Sequence, residues 1–248
     1  MRESGIEAAG LVKTFHARPT ARDLLRGRLS GAPVPVLRGV SLRVAAGESV
    51  ALLGENGAGK STLLKCLAGL LVPTSGTARV AGLDPARDGA RARRAVAYVA
   101  GDARSFSWRL SGRANLAFFA ALYGLRGAAA RQRVAAVLER VGLDPAAWDR
   151  PVAEYSTGMR QRLALARGYL AEPAVWLFDE PTSGLDPKGA RAVLDDIAAL
   201  CANSGAALVI ATHSPDHARA AARRAVVLAG GHVVHDGDVD AAIETVLR

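Results

Sequence analysis

Residues 54–61 read Gly54, Glu55, Asn56, Gly57, Ala58, Gly59, Lys60 and Ser61, a spacing of glycine, lysine and hydroxyl suited to holding phosphate. Glycines let successive backbone N–H groups turn inward around phosphate oxygens, and a helix starting at the lysine points its positive end at the same place. The Lys60 ammonium would meet the β and γ phosphates, the Ser61 hydroxyl would take a position on Mg²⁺, and Thr62 would assist at the α phosphate. Composition alone would produce this spacing roughly 0.004 times in a chain of this length, so a ligand-free glycine turn is a poor account of it.

A second chemical cluster is the acidic pair Asp179 and Glu180, which follows the apolar run 174–178. Acids at the end of a buried strand in an open α/β sheet lie where bound phosphates meet the protein. Asp179 is the candidate magnesium partner, through water. Glu180, one residue further, would act as general base or orient an attacking water.

These residues need a frame. The run 48–53 is short, apolar and closed by glycine, which predicts a buried strand feeding the loop 54–59, with a helix starting near Lys60. Similar runs at 95–99, 174–178, 207–211 and 225–228, separated by helical patterns, predict an α/β fold with a mainly parallel sheet. Between 110 and 170 apolar residues fall at helix spacing over 114–122, 134–141 and 161–170, which predicts an inserted helical subdomain.

The chain has 248 residues and is 50% hydrophobic, enough to bury one substantial core. Its two cysteines, Cys66 and Cys201, lie in apolar helical patterns and supply neither a disulfide framework nor a metal cluster, so a reducing cytoplasm is the expected setting. No apolar run reaches the roughly 18 residues of a membrane-spanning helix, and residues 1–10 carry no secretion core. The net charge of +9 suits either an arginine-rich solvated surface or contact with anionic membranes or nucleic acid.

With Tyr155, Ser156, Thr157, Gly158 and Met159, then Ser183, Gly184, Leu185 and Asp186, and then His213, the order of motifs from residue 54 onward resembles the ABC ATPase family across nearly the whole chain. The resemblance implies a single ABC ATP-binding domain over 1–248, with a phosphate-loop core, an N-terminal antiparallel β portion and a helical subdomain at about 105–165. It also implies ATP and Mg²⁺ as ligands and hydrolysis as the activity. Ser156 and Gly158, at a helix start, would contact the γ phosphate held by the opposite subunit of a homodimer or of a paired ATPase subunit. His213 would hydrogen-bond the γ phosphate, and Asp186 would communicate across the dimer.

The same resemblance implies a membrane-spanning partner, a peripheral place on the cytoplasmic face of the inner or plasma membrane, and no nucleic acid. The runner-up, a soluble ABC ATPase acting on nucleic acid or ribosomes, would suit the basic charge, but one phosphate loop and no sustained heptads weigh against it.

Outside these motifs the match to the family pattern is weaker. Gly101 stands where the family has a glutamine, with Asp102 as a substitute oxygen donor. Phe15 stands for the adenine-stacking aromatic, or else for a core residue.

The stretch 16–35 is a long insertion whose basic segment 21–29 reads as a membrane-face helix or as an exposed loop. Together with residues 104–109 and the signature at 155–159, it is similar to ATP-binding subunits of ABC-2-type exporters, which implies export. Phe106 and Trp108 would either meet the membrane partner or fold back into the helical subdomain.

Overall fold

The computed structural model describes residues 4–19, 31–101 and 105–247. Its strands are β1 (Ser4–His16), β2 (Pro33–Ala45), β3 (Ser49–Leu53), β4 (Ser75–Val80), β5 (Val96–Ala100), β6 (Val175–Asp179), β7 (Ala207–Thr212), β8 (Arg224–Ala229) and β9 (His232–Asp238). Six of them form a sheet in the order β5-β6-β7-β3-β8-β9, parallel except for β9. The other three form an antiparallel sheet in the order β2-β1-β4.

The central strands are short and apolar because both their faces are covered. In β6, Val175 and Leu177 enter one core while Trp176 and Phe178 enter another on the opposite face. In β3, Val50 and Leu52 join the first core, and Ala51 and Leu53 pack under a third. Period-two alternation thus survives inside a run that looks uniformly hydrophobic.

The helices are α1 (Lys60–Leu67), α2 (Gly89–Arg94), α3 (Gly112–Leu122), α4 (Gly127–Arg140), α5 (Thr157–Leu170), α6 (Pro187–Ser204), α7 (Pro215–Ala221) and α8 (Val239–Leu247). Helix α1 lies between the antiparallel sheet and the parallel one. Helices α3 to α6 cover the opposite face, and α7 and α8 close the β3–β8 side. The alanine-rich start of α4 is helical, as alanine and arginine propensity predicts.

Helix α5 comes very close to the sheet. A Cβ on Gly168 would stand 2.4 Å from the Trp176 ring, so only glycine allows this approach. Trp176 stacks on Phe178 at 5.7 Å and takes the edge of Tyr169 at 4.9 Å. Arg167, on the same helix, lies over Phe106 and Phe119 and donates to the Ser105 hydroxyl and the Tyr98 carbonyl. Burial pushes the Arg167 guanidinium below its usual range, with Tyr123 acting in the other direction.

The loop before α3 is held from inside. Asn115 is buried; its side-chain oxygen accepts from the Ser107 N–H at 2.9 Å and its amide donates to the carbonyls of Ser107, Leu110 and Ser111. At the far end of the sheet Arg224 donates to Asp236 at 2.7 Å and to Glu48 at 2.8 Å, joining β8, β9 and the turn before β3. These carboxylates raise the Arg224 pKa, Asp236 most strongly. No helix among the described residues is long and apolar enough to cross a membrane.

Candidate functional site

Strand β3 ends at Leu53, and residues 54–59 turn back over its end before α1 begins at Lys60. Gly57 and Gly59 take left-handed backbone angles of +86° and +106°, which side-chain-bearing residues rarely adopt. The loop, α1 and Glu180 surround a cavity of about 300 Å³ lined also by Val36 of β2. Glu55, Asn56, Gly57, Gly59, Lys60, Ser61 and Thr62 reach this cavity; Gly54 and Ala58 form the loop behind it.

Lys60 is 6% exposed, and its ammonium donates to the carbonyls of Gly54 at 2.6 Å and Glu55 at 3.1 Å. A buried charge needs such partners. Glu180 Oε1 lies 3.7 Å from the same ammonium. That oxygen is buried and accepts no hydrogen bond among the described residues.

Glu180 is placed by its backbone. Its N–H donates to Ala211 of β7 at 3.0 Å, and its φ of +51° turns the chain out of β6 in a conformation uncommon for a non-glycine residue. Its other carboxylate oxygen meets His213 Nδ1 at 3.0 Å. A carboxylate only accepts, so the ring nitrogen carries the proton in this pair.

Asp179 is 8% exposed and uses both oxygens: Oδ1 accepts from the Ser61 hydroxyl at 2.9 Å and Oδ2 from the Tyr98 phenol at 2.7 Å. The sequence reading did not single out Tyr98; only its place on an apolar strand beside β6 could have drawn attention to it. A carboxylate and a hydroxyl side by side fit a hard cation such as Mg²⁺, which takes few protein ligands and completes its shell with phosphate and water.

Lys60, Ser61, Thr62, Asp179, Glu180 and His213 therefore meet in one place. Ser156, Gly158 and Phe15 do not line that cavity. Ser156 caps α5, accepting from Met159 N–H, and Gly158 lies in that helix's first turn. Phe15 is 38% exposed near the end of β1, paired in register with Val34 and approached by the Lys13 ammonium at 5.1 Å. Asp186 caps α6.

At Gly101 the backbone N–H donates to the Asp179 carbonyl, and a Cβ there would lie 2.2 Å from the Glu180 carbonyl oxygen. The glycine is required by this close approach. Asp102, Arg104 and the segment 21–29 lie outside the described residues. The two aromatics of the next loop separate: Phe106 is 4% exposed and set edge-on to Phe119, whereas Trp108 is 50% exposed with Arg160 over its ring.

A strand–glycine loop–helix holding a buried lysine, with an Asp–Glu pair at the end of a parallel strand two places along the same sheet, defines a phosphate-loop nucleotide-binding fold. The chain belongs to the ABC transporter family, whose model matches residues 37–183.

It is 41% identical over 209 residues to the methionine import ATP-binding protein MetN of Caulobacter vibrioides, covering 83% of this chain and 63% of the relative. It is 38% identical over 204 residues to the doxorubicin resistance ATP-binding protein DrrA of Mycobacterium tuberculosis, covering 82% and 61%. The chain thus spans just under two thirds of the length of these relatives. In fold it is similar to cbiO1 of Clostridium perfringens, part of the ABC transporter complex cbiONQ, with a TM-score of 0.79, 27% identity and coverage of 97% and 91%.

Proposed function

We propose that this chain is the ATP-binding and ATP-hydrolysing subunit of an ABC transporter, acting with Mg²⁺ and energising translocation by a separate membrane-spanning subunit. The observation that carries this reading is the buried Lys60 ammonium 3.7 Å from Glu180 Oε1, an oxygen that accepts no hydrogen bond among the described residues, with Ser61 and Asp179 joined beside them. Mg²⁺, held by Ser61 and Asp179, would neutralise phosphate charge.

The chain's own groups do the rest. Backbone N–H groups of residues 54–59 and Lys60 bind the phosphates. A water whose proton passes to Glu180 Oε1 adds its oxygen to the γ phosphorus as the bond to the ADP oxygen breaks. His213, bonded to the other Glu180 oxygen, fixes that carboxylate.

Ser156 and Gly158, absent from this cavity, are assigned to the nucleotide of a second subunit in a head-to-tail dimer. The arrangement treats residues 1–248 as one ABC ATP-binding domain with a helical subdomain at about 105–165. ATP would close the dimer and loss of the γ phosphate would open it. We assign Phe15, with Val36 on the neighbouring strand, to the outer edge of the nucleotide site.

The proposed location is the cytoplasmic face of the inner or plasma membrane, without nucleic acid. Export is the proposed direction, supported by likeness to the doxorubicin resistance protein. Phosphate release by the purified chain, with Lys60→Ala as control, and capture of a polytopic partner from solubilised native membranes test the reading. ATP-insensitive capture of ribosomal or DNA-bound proteins alone would refute the transport part.

A further inference from the structure

Strand β5 runs beside β6 with Tyr98 in register with Leu177. From there the Tyr98 ring passes along the edge of an open groove of about 330 Å³, lined also by Ala90, Arg93, Val96, Leu122 and Tyr123. Its hydroxyl reaches inward to Asp179 Oδ2 at 2.7 Å. The tyrosine backbone is held from the opposite layer, where the half-buried Arg167 donates to the Tyr98 carbonyl at 3.1 Å. The phenol is thus fixed at one end by the strand and at the other by the carboxylate.

Position 101, the next place on this segment that approaches the acidic pair, cannot contribute a side chain: a Cβ there would lie 2.2 Å from the Glu180 carbonyl oxygen. Within the described part of this segment, the Tyr98 side chain bonds the Asp179 carboxylate, while the Gly101 N–H bonds the Asp179 backbone carbonyl. A carboxylate with one oxygen bonded to Ser61 and the other to a phenol has its rotation about χ2 restricted before any ligand arrives.

We infer that Tyr98 is a positioning residue for Asp179, setting the orientation of the carboxylate that takes part in Mg²⁺-dependent nucleotide binding. The inference rests on the proposed function, in that it takes Asp179 to be the magnesium partner. A phenol that donates to an anionic oxygen supports the charged carboxylate and leaves its remaining lone pairs for water or metal. Tyr98→Phe keeps the ring and removes the hydroxyl that donates to Asp179 Oδ2.

The test is equilibrium binding of ATP to the purified chain, titrated with Mg²⁺ and repeated in EDTA, for the unaltered protein, Tyr98→Phe and Asp179→Asn. Tyr98→Phe is expected to raise the Mg²⁺ concentration needed for tight ATP binding by about tenfold. Affinity in EDTA and the melting temperature should stay at their unaltered values, which separates positioning from a general packing role. If Tyr98→Phe shows the unaltered Mg²⁺ dependence while Asp179→Asn has lost it, the positioning role is overturned and the assignment of Asp179 stands. If Asp179→Asn itself retains full Mg²⁺ dependence, the assignment of Asp179 falls, and this inference with it.

Discussion

Replacing Glu180 by Gln is the most informative single change, because it should separate binding from turnover. Gln keeps the shape and can still meet His213, but it cannot accept a proton at the position of Oε1, the oxygen that accepts no hydrogen bond among the described residues. A positioned general base contributes about 10²- to 10⁴-fold, equal to about 3 to 5 kcal/mol of barrier at 1.36 kcal/mol per tenfold. Binding should move the other way. The carboxylate lies 3.7 Å from the Lys60 ammonium, an attraction of about 1 to 4.5 kcal/mol for effective dielectrics of about 80 to 20.

Removing it leaves the lysine free for phosphate, so ATP affinity should hold or rise. Single-turnover phosphate release and equilibrium ATP binding measure the two effects. Hydrolysis within threefold of the unaltered rate would refute the assignment of Glu180 as the base.

Other outcomes follow from single contacts. Gly101→Gln should not restore a family-like site; it should destabilise the chain by about 1 to 3 kcal/mol in urea and lower hydrolysis, because its Cβ would press on the Glu180 carbonyl. Ser156→Ala removes the cap accepted from Met159 N–H and should cost about 1 kcal/mol of stability, while abolishing hydrolysis and sparing ATP affinity of the isolated chain. Leu138→Ala, fully buried among the helices over the sheet, should cost about 2 to 5 kcal/mol by denaturant unfolding without changing ATP affinity measured in the folded state.

The phosphate loop and the acidic pair were legible because each is local. Residues 54–61 determine their own backbone turn, and Asp179 and Glu180 follow directly on a strand whose apolar run is plain in the sequence. The parallel strands were legible for a similar reason: strands covered on both faces read as short continuous apolar runs. Long-range pairings carried no such mark. Nothing at residue 98 announces a hydrogen bond to residue 179, and nothing at Gly101 announces the Glu180 carbonyl beside it.

The loop at 105–111 shows the same limit. Its two aromatics look equivalent in sequence. The buried Asn115 pins the loop's backbone, and the structure buries Phe106 against Phe119 and leaves Trp108 outside. Val36 was likewise invisible as a cavity residue, since it sits on a strand far from the loop in sequence.

In the proposed dimer the catalytic site is shared between two copies, with Ser156 and Gly158 of one facing the nucleotide at Lys60 of the other. Sedimentation of the Glu180→Gln chain with and without saturating Mg²⁺ and ATP distinguishes a shared site from a self-contained one. With ATP the chain should form a dimer that holds two nucleotides, reverts to monomer on nucleotide removal, and fails to form when Ser156→Ala is added. A Glu180→Gln chain that binds ATP fully and remains monomeric would contradict it.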